Sequence, residues 1–414
     1  MLLLCSMFST YSKGLKSTLL IGNSRYLSKA KVTILGIETS CDDTGCAVVD
    51  DTGKILGESL YSQNDIHIRY GGVNPLIAYE LHRNNIELAV NKAIQSSNLK
   101  ISNIDAIAVT TKPGMLINLQ VGVKYAKYLA RKFHKPLIPI HHMEAHALVT
   151  RMYQTIAFPF IVLLISGGHC LLAVAKDVDE FLLLGEGLDN APGEIMDKVA
   201  RRLKLKNVTE YSLMPGGKAI EVAARKALNP EQFKFPLPLA RYRDCNFSFS
   251  GLKDSVFRSL TKKESEHGTI GDEIVPEVND LCAAFQLAVA EHIAHRTERA
   301  LIFCEKEDLI SSHNRTIIVS GGVACNDTIF QSIELIGKKM GYRVYRPPSR
   351  LCTDNGVMIA WNGIEKFRKQ IDIFSDIDLS DVTPIAPLGK SLVNEVKAAQ
   401  IPVRVTRLKK HGFT

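Results

Sequence analysis

The sequence predicts an α/β protein built from two lobes that share one plan. Segments 32–62 and 159–189 each read as strand, tight polar or glycine turn, strand, turn and strand, because apolar and β-branched runs alternate with Asp, Thr and Gly clusters. Helical periodicity follows each segment. The identity between the halves is negligible, yet their shared order of elements predicts an internal duplication.

The predicted elements follow in order. In the first half, a long helix from about 75 to 98 precedes a buried strand, a turn, a helix over 116–133 and a strand that ends at "PIHH". In the second half, we expect helices near 193–204, 217–228 and 277–306, and then "RTIIVSGGVACND" as strand, glycine turn and helix start. The region from about 230 to 275 breaks this pattern with prolines and aromatics, which predicts an insertion. Within it, Phe247, Phe249 and Lys253 are either a ligand contact or part of a packed loop.

Composition narrows the class of protein. The chain of 414 residues is 46% hydrophobic and 23% charged, which is typical of a globular protein of two or three domains. No apolar run approaches the roughly 20 residues of a membrane-spanning helix. The net charge of +8 is concentrated at the ends, since residues 1–31 carry five Lys or Arg without an acid and residues 401–414 carry four. The body between them is close to neutral, so net charge is weak evidence for RNA binding.

The N-terminus and the cysteines indicate a compartment. Residues 1–30 are rich in Ser and basic residues, and the first acid of the chain is Glu38, which predicts a mitochondrial transit peptide and a matrix protein. A secretory signal and an untargeted tail are the alternatives. The nine cysteines are scattered without a Cys-x-x-Cys pair, which fits a reducing compartment.

Three glycine-containing turns follow apolar strands: "SCDDTG", "SGGH" and "SGGVACN". Glycine at a strand end lets backbone N–H groups approach an anionic oxygen closely. Three such turns in one chain predict a nucleotide in a cleft between the lobes. Neither a Walker A sequence nor Gly-x-Gly-x-x-Gly after a strand is present, so a P-loop ATPase and a Rossmann dehydrogenase are not supported.

Polar groups of the second half could line this cleft. Asp197, Glu221 and the pair Gly216-Gly217 suit ribose hydroxyls and a flat base, although a helix cap and a solvated carboxylate are the commoner explanations.

His142 and His146 stand four apart in "HHMEAHAL". On a helix both imidazoles project from one face and can share one metal ion. Asp354, in a polar turn before an apolar helix, can supply a carboxylate, and this donor set suits zinc or iron(II). The alternative is ordinary core or surface histidines. A His-Glu-x-x-His peptidase is not supported, because Glu144 lies two places after His142 and about 200° round the helix.

Taken together, the motifs resemble a known family. "GIETSCDDTG", "HHMEAH", "LLISGGH", "DKVARRL", "PGGKAIE", "FSFSGLK", "SGGVACN" and "CTDNGVMIAW" occur in this order over residues 32 to about 370. They resemble the TsaD group of tRNA threonylcarbamoyladenosine-synthesising transferases, formerly labelled O-sialoglycoprotein endopeptidases. With the predicted transit peptide, the mitochondrial branch is the best match.

The resemblance implies a two-lobed actin/Hsp70-like ATPase fold of the ribonuclease H-like duplication type. It places the first lobe at 31–155, closed by C-terminal helices from about 354–414, and the second lobe at 156–353 with an insertion at about 205–275. It also implies transfer of the threonylcarbamoyl group of threonylcarbamoyl-AMP to N6 of adenosine 37 in tRNAs that read codons beginning with A. The expected partners are tRNA, a separate synthase that supplies the adenylate, and a second copy of the chain in a homodimer.

The resemblance carries roles onto matching positions of this sequence. One divalent metal ion per subunit, zinc or iron, would be held by His142, His146 and Asp354. The adenylate would be bound by one set of residues in the second lobe: Leu164, Ile165, Ser166, Gly167, Gly168, Asp197, Gly217, Glu221 and Asn326.

Two positions depart from the family's pattern. Asp42-Asp43 stands where many relatives have Asp-Glu, and Lys112-Pro113-Gly114 replaces Gly-Pro-Gly, so the roles of both stretches and the general base are open. Basic residues at Arg201-Arg202 and over 404–410 are candidates for phosphate contact, or simply solvated helix ends. A zinc metallopeptidase and a non-catalytic actin-like ATP-binding protein are the alternative functions.

Overall fold

Two mixed sheets organise the protein. The computed structural model describes residues 31–70 and 72–413, so the predicted transit peptide over 1–30 lies outside the described residues. The strands of the first lobe are β1 (Thr33–Glu38), β2 (Asp43–Asp50), β3 (Ile55–Ser62), β4 (Ala106–Lys112) and β5 (Leu137–His141). Those of the second sheet are β6 (Phe160–Ile165), β7 (Cys170–Ala175), β8 (Phe181–Glu186), β9 (Thr316–Ser320), β10 (Arg343–Tyr345) and β11 (Lys390–Ser391).

The sheet orders support the predicted duplication. The first sheet runs β3-β2-β1-β4-β5, and the second contains β8-β7-β6-β9-β10 with β11 added at its edge. In both, the first hairpin pairs are antiparallel, whereas β1 with β4 and β6 with β9 are parallel. The α/β, two-lobed fold class predicted from the sequence is therefore confirmed.

Helices cover both sheets, and those near 75–98, 116–133, 193–204, 217–228 and 277–306 occur where periodicity predicts them. They are α1 (Asn64–Arg69), α2 (Pro75–Ser96), α3 (Leu116–Phe133), α4 (His142–Leu148), α5 (Pro192–Arg202), α6 (Gly216–Ala224), α7 (Ser250–His267), α8 (Val278–Lys306), α9 (Asp327–Met340), α10 (Ser349–Cys352), α11 (Gly356–Lys369) and α12 (Val393–Ala398). Local signals fix several starts: Asn74 accepts hydrogen bonds from the backbone of Leu76 and Ile77, and Pro75 occupies the first turn of α2. Among the described helices, none is long and apolar enough to cross a bilayer.

A shared apolar core joins the lobes. One cluster of buried residues combines Ile138 and Ile140 of β5 with Val162 and Leu164 of β6. Helices α4 and α11 contribute to the same cluster, and α4 packs against strands of both sheets. Burying these groups together fixes the lobes against each other where the two sheets meet.

The C-terminal part differs from the expected lobe boundary. Helix α11 packs on the first sheet, as expected for residues after 354. Residues 390–413, the C-terminal tail, return to the second lobe: β11 pairs with β8, and Leu408 is buried in the second core. The tail is anchored on α8, where Arg299 donates to the carbonyl of Ile401 at 3.1 Å. The expectation that 354–414 closes the first lobe is therefore wrong for the tail, because α8 offers it hydrogen-bonding partners.

The insertion is part of the second core. Its helix α7, which the sequence pattern did not predict, buries Leu252, Val256 and Leu260. Asp189 accepts hydrogen bonds from the backbone of Phe249 and Ser250 and so caps α7 from a distant loop. Because this cap comes from outside the insertion, the start of α7 has no local signal, whereas the four-residue spacing of Leu252, Val256 and Leu260 is a helical signal that the sequence interpretation did not use.

Candidate active site

The two histidines lie on one face of α4, as their spacing predicts. Strand β5 ends at His141, whose ring caps α4 by accepting a hydrogen bond from the backbone N–H of Met143 at 3.2 Å. His142 and His146 follow one turn apart, with ring centroids 4.7 Å apart and nearly perpendicular planes. Both are buried, so they are held rigidly by the surrounding packing.

Asp354 reaches the histidines from the turn before α11. Asn355 caps this helix by accepting a hydrogen bond from Met358 N at 2.9 Å. The start of α11 lies directly on the first sheet, because a Cβ on Gly36 would stand 2.3 Å from the backbone nitrogen of Ala360. Glycine at this position thus permits the close approach that brings Asp354 to α4.

The three side chains form one cluster. Asp354 Oδ1 lies 3.1 Å from His146 Nε2 and 3.4 Å from His142 Nε2, and one ligand atom from each residue lies within 4.8 Å of the others. Two imidazole nitrogens and a carboxylate oxygen are the donor set of many zinc and non-haem iron sites, so these residues fit a divalent metal ion. Asp354 is 24% exposed whereas both imidazoles are nearly inaccessible, so the cluster opens to solvent on the aspartate side.

The carboxylates of this cluster favour a positive charge within it. Burial alone lowers the pKa of an imidazole, but the carboxylates of Asp354 and Glu38 outweigh it and raise the pKa of His142 to about 10. Burial acts against ionisation of Asp354 as well, yet its histidine neighbours hold the pKa of that carboxyl well below its usual range. His146 has its pKa lowered by burial. Two acids thus attract a cation to this cluster.

The glycine turn Ser166–His169 lies beside the cluster. Ser166 Oγ accepts hydrogen bonds from the backbone N–H of Gly168 at 3.3 Å and of His169 at 3.0 Å, which fixes the turn. A Cβ on Gly167 or Gly168 would meet no atom within 4 Å, so the turn borders open space. Helix α4, which carries both histidines, packs against β6, whose last residue Ile165 leads into the turn. Burial and the nearby imidazoles of His142 and His146 lower the pKa of His169 to about 4.

The other predicted adenylate residues line the second lobe in different ways. Leu164 and Ile165 are fully buried in β6, so only their backbone can take part. Asp197 accepts hydrogen bonds from the backbone of Gly216 and Gly217, and its pKa is raised because burial outweighs these bonds. This carboxylate holds the start of α6 in place.

Asn326 lies at the start of α9, and Glu221 reaches the same place from α6. Glu221 is buried and accepts a hydrogen bond from the backbone of Asp327 at 3.0 Å. Asn326 caps α9 and donates to Gln286 Oε1 at 2.7 Å. The sequence interpretation missed Gln286, since a glutamine inside a long helix gives no local signal. Two hydrogen bonds therefore tie the start of α9 to its neighbours, one from Glu221 on α6 and one from Gln286 on α8.

Glu144 points away from the cluster. Its Oε2 lies 3.5 Å from Lys366 Nζ on α11. A peptidase of the His-Glu-x-x-His type needs its glutamate at the metal. The sequence argument against a metallopeptidase therefore agrees with the geometry.

Several other candidates are packed or paired. Phe247 and Phe249 are fully buried, stacked 6.4 Å apart and edge-on to His292, so they form a packed loop and not a ligand platform. Arg202 donates to Glu264 at 2.7 Å, and Arg407 in the tail lies 3.1 Å from Glu291. These pairs reduce the positive charge that the predicted patches offer to phosphate.

Fold and site together define a class: a two-lobed actin/Hsp70-like protein with a dihistidine–carboxylate cluster beside a glycine turn. The family model described as "TsaD: tRNA N6-adenosine threonylcarbamoyltransferase" matches residues 54–361. The chain belongs to this family.

Close relatives are named as mitochondrial enzymes. The chain is 48% identical over 376 residues to a zebrafish (Danio rerio) protein named "tRNA N6-adenosine threonylcarbamoyltransferase, mitochondrial", covering 91% of this chain and 93% of the relative. It is 46% identical over 370 residues to a human protein of the same name, covering 89% of each. Among solved structures, HypF of T. kodakarensis is similar in fold, with a TM-score of 0.52 and 15% identity over 85% of this chain and 49% of that one.

Proposed function

We propose that this protein transfers the threonylcarbamoyl group of threonylcarbamoyl-AMP to N6 of adenosine 37 in mitochondrial tRNAs that read codons beginning with A. The observation that carries the proposal is the position of the cluster of His142, His146 and Asp354, on and against the helix that packs on β6, beside the open turn Ser166–His169 in which β6 ends. Family membership and the names of the relatives support the same activity.

We assign adenylate binding to the second lobe and metal binding to the first. In the second lobe, the backbone N–H groups of the glycine turn would hold anionic oxygens of the adenylate, and Asp197, Gly217, Glu221 and Asn326 would hold its nucleoside. In the first lobe, His142 and His146, together with Asp354, would hold a divalent zinc or iron ion. When bound, this ion would supply Lewis-acid polarisation of the carbamoyl carbonyl and neutralise phosphate charge.

Positioning carries most of the expected rate enhancement. The adenine N6 amine is a weak nucleophile, so the cleft must hold it in line with the carbamoyl carbon. The N6–C bond forms, the C–O bond to the phosphate breaks, AMP leaves and one N6 proton is released. Amides of the turn that face developing negative charge would lower the barrier.

We further propose a setting for this reaction. The acid-free, Ser-rich and basic residues 1–30 would direct the chain to the mitochondrial matrix, in line with the names of its relatives. A separate synthase would supply the adenylate, and the protein would act as a homodimer on tRNA.

The test is a transfer reaction with defined components. The purified chain is incubated with threonylcarbamoyl-AMP and an unmodified tRNA that decodes a codon beginning with A, and the nucleosides of the digested RNA are identified by mass. We expect threonylcarbamoyladenosine with the wild-type protein and a loss of about 1,000-fold with Asp354→Ala, because several kcal/mol of charge stabilisation are removed.

The control is Asp376→Ala, the same change at a half-exposed aspartate that pairs with Arg131 on α3, far from the cluster in the fold. It should leave the rate unchanged within about twofold. No product with an adenylate shown to be intact, or full activity of Asp354→Ala, would contradict the proposal. ATP binding without transfer would favour the non-catalytic alternative, and cleavage of a glycoprotein would favour the peptidase.

A further inference from the structure

Glu38 is an acid at a place where the sequence otherwise requires apolar residues. It ends β1, whose six residues are all buried, and its own side chain is completely inaccessible to solvent. An isolated buried carboxylate costs far more than a hydrogen-bonded and paired one, so its partners explain why it is there.

Its oxygens are fully engaged by groups from three elements. Oε1 accepts a hydrogen bond from the backbone N–H of Ser40 at 2.5 Å. Oε2 accepts one from Thr110 Oγ1 at 2.6 Å and lies 3.2 Å from His142 Nδ1. Because β1 and β4 are parallel neighbours, the carboxylate is held between the first turn, the end of β4 and α4.

These contacts give the imidazole of His142 two distinct sides. Nδ1 faces Glu38, whereas Nε2 faces Asp354 Oδ1 at 3.4 Å. A carboxylate acceptor keeps the proton on Nδ1, so Nε2 is the nitrogen that gives up its proton and offers a lone pair to the cluster when a metal ion binds. His146 lacks such support: its buried Nδ1 has no hydrogen-bond partner among the described residues.

We propose that Glu38 is a positioning residue that fixes the ring orientation and the Nδ1–H tautomer of His142, so that Nε2 is available as a metal ligand. The inference rests on the metal site of the proposed function and not on the transfer reaction. The test measures metal binding without tRNA or adenylate. A negative result would therefore contradict the role of Glu38 without contradicting the transfer reaction.

Ser40 and Thr110 allow the effect of Glu38 on His142 to be distinguished from a general stabilisation of the first turn. Ser40 Oγ also lies 3.2 Å from His142 Nδ1, so the hydroxyl is a competing partner. Thr110 contacts Glu38 but is not among the groups paired with His142. Thr110→Val therefore disturbs the same buried network while leaving the carboxylate and its histidine in place, which makes it the matched control.

The experiment titrates the metal-free full chain with Zn²⁺ against a chromophoric chelator and records the visible spectrum of the Co²⁺-loaded protein. We expect Glu38→Gln to weaken Zn²⁺ binding by about 10- to 100-fold and to change the Co²⁺ bands, whereas Ser40→Ala and Thr110→Val change affinity by less than about threefold. Wild-type affinity and spectrum in folded Glu38→Gln would overturn the inference. An equal loss in Thr110→Val would also overturn it, because the effect would then be structural.

A measurement on the wild-type protein covers the case in which Glu38→Gln does not fold. Selective ¹⁵N labelling of histidine distinguishes a protonated Nδ1 from a metal-bound Nε2 in the Zn²⁺-loaded chain. We expect His142 to carry its proton on Nδ1. A proton on Nε2, with Nδ1 bound to the metal, would overturn the inference.

Discussion

Equivalent turns of the two lobes lie near the cluster of His142, His146 and Asp354, but they are stabilised in different ways. The turn between β1 and β2, residues 39–42, is held by buried side chains: His82 and Asn118 both donate to the carbonyl of Cys41, at 3.0 and 2.6 Å. The turn between β6 and β7, residues 166–169, is held mainly by its own Ser166 and exposes two glycines. One turn therefore supports a side-chain cluster, and the other presents backbone to a ligand.

The difference between the turns matches the two roles that we propose for them. A turn that must orient a metal-ligating histidine needs rigid polar packing behind it. A turn that must approach an anionic ligand needs the absence of side chains in front of it. Substitutions in the two turns should therefore fail in different ways, the first through stability and the second through ligand affinity.

The largest effect is expected where the first turn loses its support. His82 is fully buried, and its Nδ1 lies 2.8 Å from Thr44 Oγ1. His82→Ala removes two hydrogen bonds and leaves a cavity, so we expect the free energy of unfolding to fall by about 2–4 kcal/mol in urea titrations. The exposed His313→Ala should change it by less than about 0.5 kcal/mol. Equal stability of both variants would mean that the first turn does not depend on this side chain.

A substitution in the second turn should weaken ligand binding and leave the stability of the fold unchanged. Gly168→Ala places a methyl group where the structure has no atom within 4 Å, so stability should stay within about 0.5 kcal/mol of wild type. The same methyl group occupies ligand space, and we expect AMP binding measured by calorimetry to weaken by about tenfold or more. Unchanged AMP affinity would separate this turn from the adenylate site.

Next to the first turn, Asp43 at the start of β2 should make stability depend on pH. Burial and the neighbouring carboxylates of Asp42 and Asp354 raise the pKa of Asp43 to about 7, despite a hydrogen bond with Ser62. Because the folded state binds a proton that the unfolded state releases near pH 4, this group's stabilising contribution is complete below about pH 4 and is lost as pH rises to about 7.

Asp43→Asn should remove this dependence. With metal chelated, we expect the melting temperature of wild type relative to Asp43→Asn to fall by about 2 °C between pH 4.5 and 7.5. A constant difference across that range would show that Asp43 is ionised throughout.

The smallest effect concerns thiol reactivity and extends the comparison to the third glycine turn. A hydrogen bond with Cys352 lowers the pKa of Cys325 to about 7, whereas burial and nearby carboxylates raise the pKa of Cys41 well above its usual range. Iodoacetamide at pH 7 should therefore alkylate Cys325 well before Cys41, as read from labelled peptides by mass spectrometry. Faster labelling of Cys41 would contradict the electrostatic description of the first turn.

Much of the candidate site was visible in the sequence, because its signals are local. The four-residue spacing of His142 and His146 needs only a helix, and glycine after an apolar strand needs only a turn. Glu38 was not predicted, although an acid at the end of an apolar strand is a local signal. The partners of Glu38 and Asn326 were not readable at all, since Thr110 and Gln286 come from distant elements.

The sequence alone predicted most strands and helices in their order, the duplication and the residue types of the candidate site, because apolar periodicity and turn chemistry act over a few residues. It indicated Asp354 only as a carboxylate in a polar turn and through family resemblance. The tertiary structure decided that this turn, 208 residues beyond His146, lies against α4, through a glycine contact of α11 with β1. It also decided that the tail returns to α8. Such contacts between residues distant in sequence depend on sheet order and helix packing, which no local sequence pattern specifies.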